Sequence, residues 1–186
     1  IWSTIVIALI LLVNLISAKA YGEAEFWMAT IKVIAVIAFI VIGLATIFGV
    51  MSYKPDVARN LSAGGNHGFV GGIGGMIAVF MIAGFSFQGT EIVGIAAGES
   101  ENPEKNVPSA IKQVFWRIII FYFLSIFVIG ALVYYKDPSL LRAATQSDIT
   151  VSPFTLVFER AGLAAAASVM NAVILTSVIS SANSWL

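Results

Sequence analysis

The chain has 186 residues, of which 59% are hydrophobic and 11% are charged, and its formal net charge is zero. Soluble domains have about 45–50% apolar and about 25% charged residues, so this composition excludes an ordinary soluble domain. The absence of any basic block argues against nucleic acid as a partner. Cysteine is absent and the single histidine, His67, lies in a polar loop, so the sequence predicts no metal site and no cofactor.

The apolar residues form long runs, as membrane-spanning helices require. About 20 apolar residues cover the hydrocarbon core of a bilayer. Five runs meet or approach this length and predict an all-α integral membrane protein, with the whole chain as a single transmembrane fragment. The predicted spans are residues 1–18, 26–51, 69–98, 114–135 and 161–181. The first run lacks the flanks of a signal peptide, and both ends of the chain fall in apolar stretches, so we expect an internal piece of a longer protein.

Four polar loops separate these spans. Clusters of proline, glycine, asparagine and aspartate mark them as turns. The predicted loops are residues 19–25, 52–68, 99–113 and 136–153. Lysine and arginine number four on each side, so the positive-inside rule leaves the orientation open.

The third predicted span is too long for a straight helix across a bilayer. Its 30 residues would extend about 45 Å. Glycines and hydroxyl side chains, which weaken helices, cluster within it. That cluster is Gly84-Phe85-Ser86-Phe87-Gln88-Gly89-Thr90-Glu91. We therefore predict a break near residues 84–90, whose free carbonyl and N–H groups could bind a solute at mid-membrane.

Glu91 lies about 10 Å inside the end of this span on helical rise, seven residues before Gly98. An ionisable group at that depth costs at least about 2.5 kcal/mol, so it should face a cavity or a partner. The structural alternative is that Glu91 caps a kinked helix and that the glycines, such as the Gly71 and Gly75 pair, are packing sites.

Two other features are less specific. Lys32 lies about 9 Å inside the second span, where it can extend to the headgroups or can be buried and exchange a proton during transport. In the last span, Ala164, Ser168 and Ala172 recur every four residues, which is typical of tight helix packing.

The motifs resemble those of amino-acid permeases of the APC superfamily, and most of all the bacterial lysine-specific permeases. Besides residues 84–91, the matching motifs are Gly94-Ile95-Ala96-Ala97-Gly98-Glu99, Glu101-Asn102-Pro103-Glu104-Lys105-Asn106-Val107-Pro108, Lys136-Asp137-Pro138-Ser139-Leu140-Leu141 and Val151-Ser152-Pro153-Phe154-Thr155-Leu156-Val157-Phe158. The resemblance covers nearly the whole chain. It implies the LeuT-type fold of two inverted five-helix repeats, of which this chain would cover helices four to eight. Residues of the first and third helices, which complete the family's pocket, would then be missing.

The resemblance also implies a site. Its substrate-binding residues would be Phe85, Ser86, Gln88, Gly89, Thr90 and Glu91. Phe85 matches an aromatic gate over the substrate, and Glu91 could balance the charge of a cationic substrate. Lys32 matches the fifth-helix lysine that replaces sodium in proton-coupled relatives, which favours proton coupling over extension to the headgroups.

These features predict a proton-coupled amino-acid importer of the cell membrane, with lysine as the favoured substrate. The alternatives are a permease for a neutral or aromatic amino acid, a channel, or a non-transporting membrane subunit. An intramembrane enzyme is disfavoured, because the spans hold only Lys32, Glu91 and Arg117 as charged residues and therefore no catalytic pair.

Overall fold

A computed structural model of the chain describes residues 18–62, 70–87, 90–146 and 151–184, together with Thr4, Ile7 and Ala8. In these residues the regular structure is helical and no strand is assigned, as the sequence predicted. The elements are α1 (Ala18–Ile47), α2 (Val57–Leu61), α3 (Gly72–Ser86), α4 (Thr90–Gly98), α5 (Pro103–Arg117), a π-helical segment (Ile118–Phe123), α6 (Leu124–Leu132), α7 (Pro138–Gln146), α8 (Pro153–Arg160) and α9 (Ala164–Ser184). Nearly all of the predicted first span lies outside the described residues.

The helices belong to two compact units. One unit consists of Ile1–Lys54 with Asp137–Leu186 and contains α1, α7, α8 and α9. The other, Pro55–Lys136, contains α2 to α6 with the π-helical segment.

Two helical stretches are long and apolar enough to cross a membrane by length and composition, Glu25–Ile47 and Pro103–Leu132. Two shorter apolar helices are Gly72–Ser86 and Ala165–Ser181. Large apolar side chains on these stretches, such as that of Trp27, are exposed rather than packed inside the chain. Such contiguous apolar surface is what lipid or further helices cover in membrane proteins.

In the first unit, the core forms around Phe39 of α1, which is fully buried. Its ring lies 4.7 Å from that of Phe154 and 5.9 Å from that of Phe158, measured between centroids. Both partners are on α8, a helix that begins with a capping box between Ser152 and Thr155. The capping box fixes where α8 starts, and the three aromatic rings then hold α8 against α1.

The end of α8 is tied to the start of α7 by a charged cluster. The Arg160 guanidinium pairs with the buried carboxylate of Asp137 and donates a hydrogen bond to the Tyr53 hydroxyl at 3.2 Å. It also lies over the Tyr53 ring, 5.6 Å from the centroid. The Asp137 carboxylate accepts a second hydrogen bond, from the Ser139 N–H at 2.9 Å, and thereby caps α7.

Short helices occupy two of the segments predicted as loops. Asp56 caps α2 by accepting from the Arg59 N–H at 3.0 Å, as Asp137 caps α7. Aspartate and proline are turn signals in the sequence, whereas in the structure Asp137 and Pro138 start a helix. Aspartate before a helix and proline in its first turn are both favourable, so the same residues serve either purpose.

The predicted loop 99–113 is likewise mostly helical, because α5 begins at Pro103 and continues through Pro108. Proline lacks the N–H that would bond to the carbonyl four residues earlier, here that of Glu104. Glu104 is exposed in the first turn, where water can reach that carbonyl, so Pro108 does not end the helix. The backbone then widens into the π-helical segment before α6 begins.

In the second unit, the Asn60 side chain of α2 donates to the Ala131 carbonyl near the end of α6 at 2.8 Å. Carbonyls in the last turn of a helix lack partners within it, so Asn60 satisfies one of them. At the start of α3, Gly71 has a φ of 79°, and a Cβ on Gly75 would lie 2.4 Å from the Val70 carbonyl oxygen. The backbone of the helix start therefore itself requires glycine there, and the packing between helices that the sequence suggests for this pair stays a prediction.

Candidate functional site

The first candidate site lies where α3 ends. This helix terminates at Ser86, and the N–H of Phe87 bonds back to the Gly84 carbonyl at 3.3 Å. Both Ser86 and Phe85 are exposed, and 79% of Phe85 is accessible. The last carbonyls of a helix have no partner in the helix, so this end presents acceptors that could bind an ammonium group.

A second helix begins three residues after Phe87. Thr90 opens α4, and Glu91 is its next residue, in the turn whose N–H groups have no intrahelical acceptor. The backbone of Thr90 and Glu91 is described but their side chains are not, and Gln88 and Gly89 lie outside the described residues. The observed ends of α3 and α4 both fall within the stretch where the sequence predicts a break.

The second candidate site surrounds Lys32 on α1. The Lys32 ammonium donates to the Ser180 hydroxyl of α9 at 2.8 Å and lies 3.9 Å from Oε1 of Glu25. The Ser180 hydroxyl in turn donates to the same Glu25 oxygen at 2.5 Å. Ser180 is 1% exposed, whereas the side chains of Lys32 and Glu25 are 29% and 28% exposed. An ammonium, a hydroxyl and a carboxylate thus meet between two helices.

The sequence predicts a role for Lys32 but not for its two partners. It places Glu25 in a loop, whereas α1 begins at Ala18 and so includes it. Seven residues on a helix are close to two full turns, so Glu25 and Lys32 share a face of α1. The spacing of seven residues is therefore a signal from which the sequence could predict that Glu25 and Lys32 pair. The contact with Ser180 is between distant parts of the chain, and no local pattern predicts it.

An open cavity of about 380 Å³ adjoins Lys32. Its lining comes from α1, α8 and α9 and includes Ala35, Phe154, Met170 and Ser177. Among the described residues that line it, Lys32 carries the only charge. A proton donor in this cavity would therefore have direct access to the Lys32 amine.

Comparison with known proteins decides the family. The family model for amino acid permeases matches residues 1–186, the whole chain. The chain belongs to the amino acid permease family. Its members among the curated relatives are permeases rather than enzymes. No solved structure matches the chain.

Among the similar permeases, the histidine permease HisP of Lactococcus lactis is 57% identical over 99% of this chain. The lysine-specific permease LysP is 51% identical in Lactococcus lactis and 53% identical in Escherichia coli, each over 100% of the chain. The permease chain described here spans 37–38% of the length of these three relatives.

Proposed function

We propose that this permease chain is part of a secondary transporter that imports a basic amino acid, with lysine favoured, together with protons across the cell membrane. The observation that carries the proposal is the identity of 51–57%, over essentially the whole chain, with permeases named for lysine and histidine. Histidine is the second candidate substrate, since the relative at 57% identity is a histidine permease.

The proposed fold is the LeuT type, in which α3 and α4 are the two halves of a broken membrane helix. The end of α3 at Ser86 and the start of α4 at Thr90 support this proposal. Discontinuous helices present carbonyls from one half and N–H groups from the other to a bound solute. Alternating access would proceed by rocking of these halves about the residues between them.

The proposed substrate site includes the residues at this break. Phe85 would close over the substrate, and the backbone of Phe85 and Gln88 would accept from its α-ammonium. Ser86, Gly89 and Thr90 would shape the irregular backbone. Glu91 would supply the negative charge that a cationic side chain needs in a medium where an unpaired charge is costly.

Lys32 is the proposed proton-coupling residue. Its ammonium is bonded to the buried hydroxyl of Ser180 and adjoins the cavity, which supports a role beyond extension toward headgroups. An amine that binds and releases a proton within the protein can couple the proton gradient to the conformational change.

The test is competition uptake by the full-length protein. Labelled lysine uptake would be measured from pH 5 to pH 8, with unlabelled lysine, arginine, histidine, leucine and phenylalanine as competitors. We expect that external acid stimulates the uptake of labelled lysine and that unlabelled lysine or histidine inhibits this uptake most strongly. Equal inhibition by leucine or phenylalanine would indicate a permease for neutral or aromatic amino acids. Absence of saturable uptake of any of these amino acids would contradict a transport role.

A further inference from the structure

The side chains of Lys32, Ser180 and Glu25 form one directed hydrogen-bond chain from α1 to α9 and back to α1. The Ser180 hydroxyl accepts from the Lys32 ammonium at 2.8 Å while it donates its own hydrogen to Glu25 Oε1 at 2.5 Å. We propose that these three groups are a proton relay in which Glu25, through Ser180, shares the coupling proton of Lys32. The inference rests on the proton coupling proposed above and adds Glu25 and Ser180 to it.

The relay balances without any further reactant. An N–H bond of the Lys32 ammonium breaks as its hydrogen passes to Ser180 Oγ, and the former Ser180 O–H hydrogen passes to Glu25 Oε1. The ammonium and carboxylate thereby become an amine and a carboxylic acid, with no change of net charge. The amine can then bind one proton from water in the adjoining cavity, so the loaded site carries one positive charge more than the unloaded site.

An oxygen without a hydrogen-bond partner supports Glu25 as the end of the relay. Its second oxygen, Oε2, is buried and has no hydrogen-bond partner within the described part of the chain. A buried carboxylate oxygen without a donor is unfavourable, so Oε2 offers an acceptor position to a hydrogen that reaches Glu25. Ser180, which is itself 1% exposed, connects the two partly exposed ionisable groups.

Charged side chains on α8 and α9, the helices that pack against α1, form no ion pair with Lys32 or Glu25 among the described residues. On α9 the residues from Ala164 to Ser184 include no ionisable side chain. The other ionisable residues of α1 and α8 are Lys19, Tyr21, Glu23, Glu159 and Arg160. Glu23 and Glu159 are exposed, and Arg160 is engaged by Asp137 and Tyr53. Among the described side chains, each of Lys32 and Glu25 has the other as its ion-pair partner.

The experiment uses the full-length permease in proteoliposomes with labelled lysine, or with labelled histidine if the wild type accumulates that instead. Glu25→Gln keeps the shape of the side chain and its carbonyl acceptor for Ser180, but it cannot bind the proton. Ser180→Ala removes the hydroxyl with little change of volume. Two readouts are compared: accumulation driven by an inward proton gradient, and exchange of labelled for unlabelled substrate without a gradient.

We expect both variants to lose accumulation above the external concentration while exchange stays close to the wild-type rate. Matched controls are Glu23→Gln on α1 and Ser168→Ala on α9, both exposed, which should retain both activities. Wild-type accumulation in Glu25→Gln would overturn the relay. Loss of exchange together with accumulation in Glu25→Gln, in correctly inserted protein, would also overturn it, because the residue would then be needed for translocation itself. A wild type without gradient-driven accumulation would instead contradict the proton coupling proposed for the permease.

Discussion

The ring of Phe87 stacks on the ring of Tyr122, with centroids 5.3 Å apart and planes 20° apart. Phe87 is the C-cap residue that directly follows the end of α3 at Ser86, and Tyr122 belongs to the π-helical segment Ile118–Phe123. Two departures from α-helical geometry are therefore in direct contact. Since π-helical turns often occur at functional sites, this contact links the proposed substrate site to a helix that does not contribute to it directly.

The stack predicts an effect on substrate affinity. Tyr122→Leu removes an aromatic pair worth about 0.5–1.5 kcal/mol, so the end of α3 should be held less firmly and KM for lysine should rise about 2- to 12-fold. Uptake kinetics of the full-length permease measure this. Tyr122→Phe keeps the ring and should behave as the wild type. An unchanged KM in Tyr122→Leu would mean that the contact does not position the end of α3 for binding.

Glu91 is predicted to recognise the charge of the substrate. In Glu91→Gln the charge-assisted interaction, worth about 1.5–3 kcal/mol, is lost, so lysine uptake should fall about tenfold or more while membrane insertion is intact. The matched control is Glu101→Gln, an exposed carboxylate between α4 and α5. Wild-type uptake by Glu91→Gln would remove this residue from the substrate site.

Lys32 is predicted to couple transport to protons. Lys32→Met keeps the length of the side chain but cannot carry a proton, so the stimulation of uptake by external acid should disappear. Uptake with and without an inward pH gradient measures this, and Lys112→Met, an exposed lysine on α5, serves as the control. Acid stimulation equal to that of the wild type would identify Lys32 as a residue that merely extends to the headgroups.

The pair of Asp137 and Arg160 is predicted to stabilise the first unit. Removal of one partner leaves the other partly buried charge without its counter-ion, so Asp137→Asn and Arg160→Gln should each lower the free energy of unfolding by about 1–3 kcal/mol. A double-mutant cycle in detergent, followed by denaturant unfolding, would show that the two losses are not additive. Glu159→Gln, exposed beside Arg160, is the control. Additive losses would show that the pair contributes no coupling energy.

Composition and local sequence patterns predict the helices, the protein family and the end of α3. Apolar runs indicated helices throughout, and the motifs around residues 84–108 indicated the amino acid permease family, which the comparisons confirm. The glycines and hydroxyls near Gly84 indicated a helix end, and α3 ends at Ser86. Whether the backbone unwinds through residues 88–89, which lie outside the described part, stays a prediction.

The sequence did not predict features that depend on partners distant along the chain. Asp137 and Pro138 favour a turn or a helix start equally, so the sequence places them in a loop. The pairing of Asp137 with Arg160 helps to select the helix start. Ser180 is one of several hydroxyl residues on the last helix, and its spacing does not distinguish it from the others. Its role follows from its contacts with Glu25 and Lys32, 155 and 148 residues away in sequence.

The π-helical segment also constrains how this stretch of chain can vary in length. A π turn accommodates one residue more than an α turn, and one residue of an α-helix corresponds to a rotation of about 100° about the axis. The π-helical segment Ile118–Phe123 takes up such an extra residue locally, so loss of one residue there would restore an α turn and leave the side chains of α6 on their present sides. Loss of a residue within α6 before Ala131 would instead rotate the residues that follow, and the Ala131 carbonyl would no longer meet Asn60. In homologues that keep this contact, one-residue gaps should therefore fall within the π-helical segment and should be rare within α6.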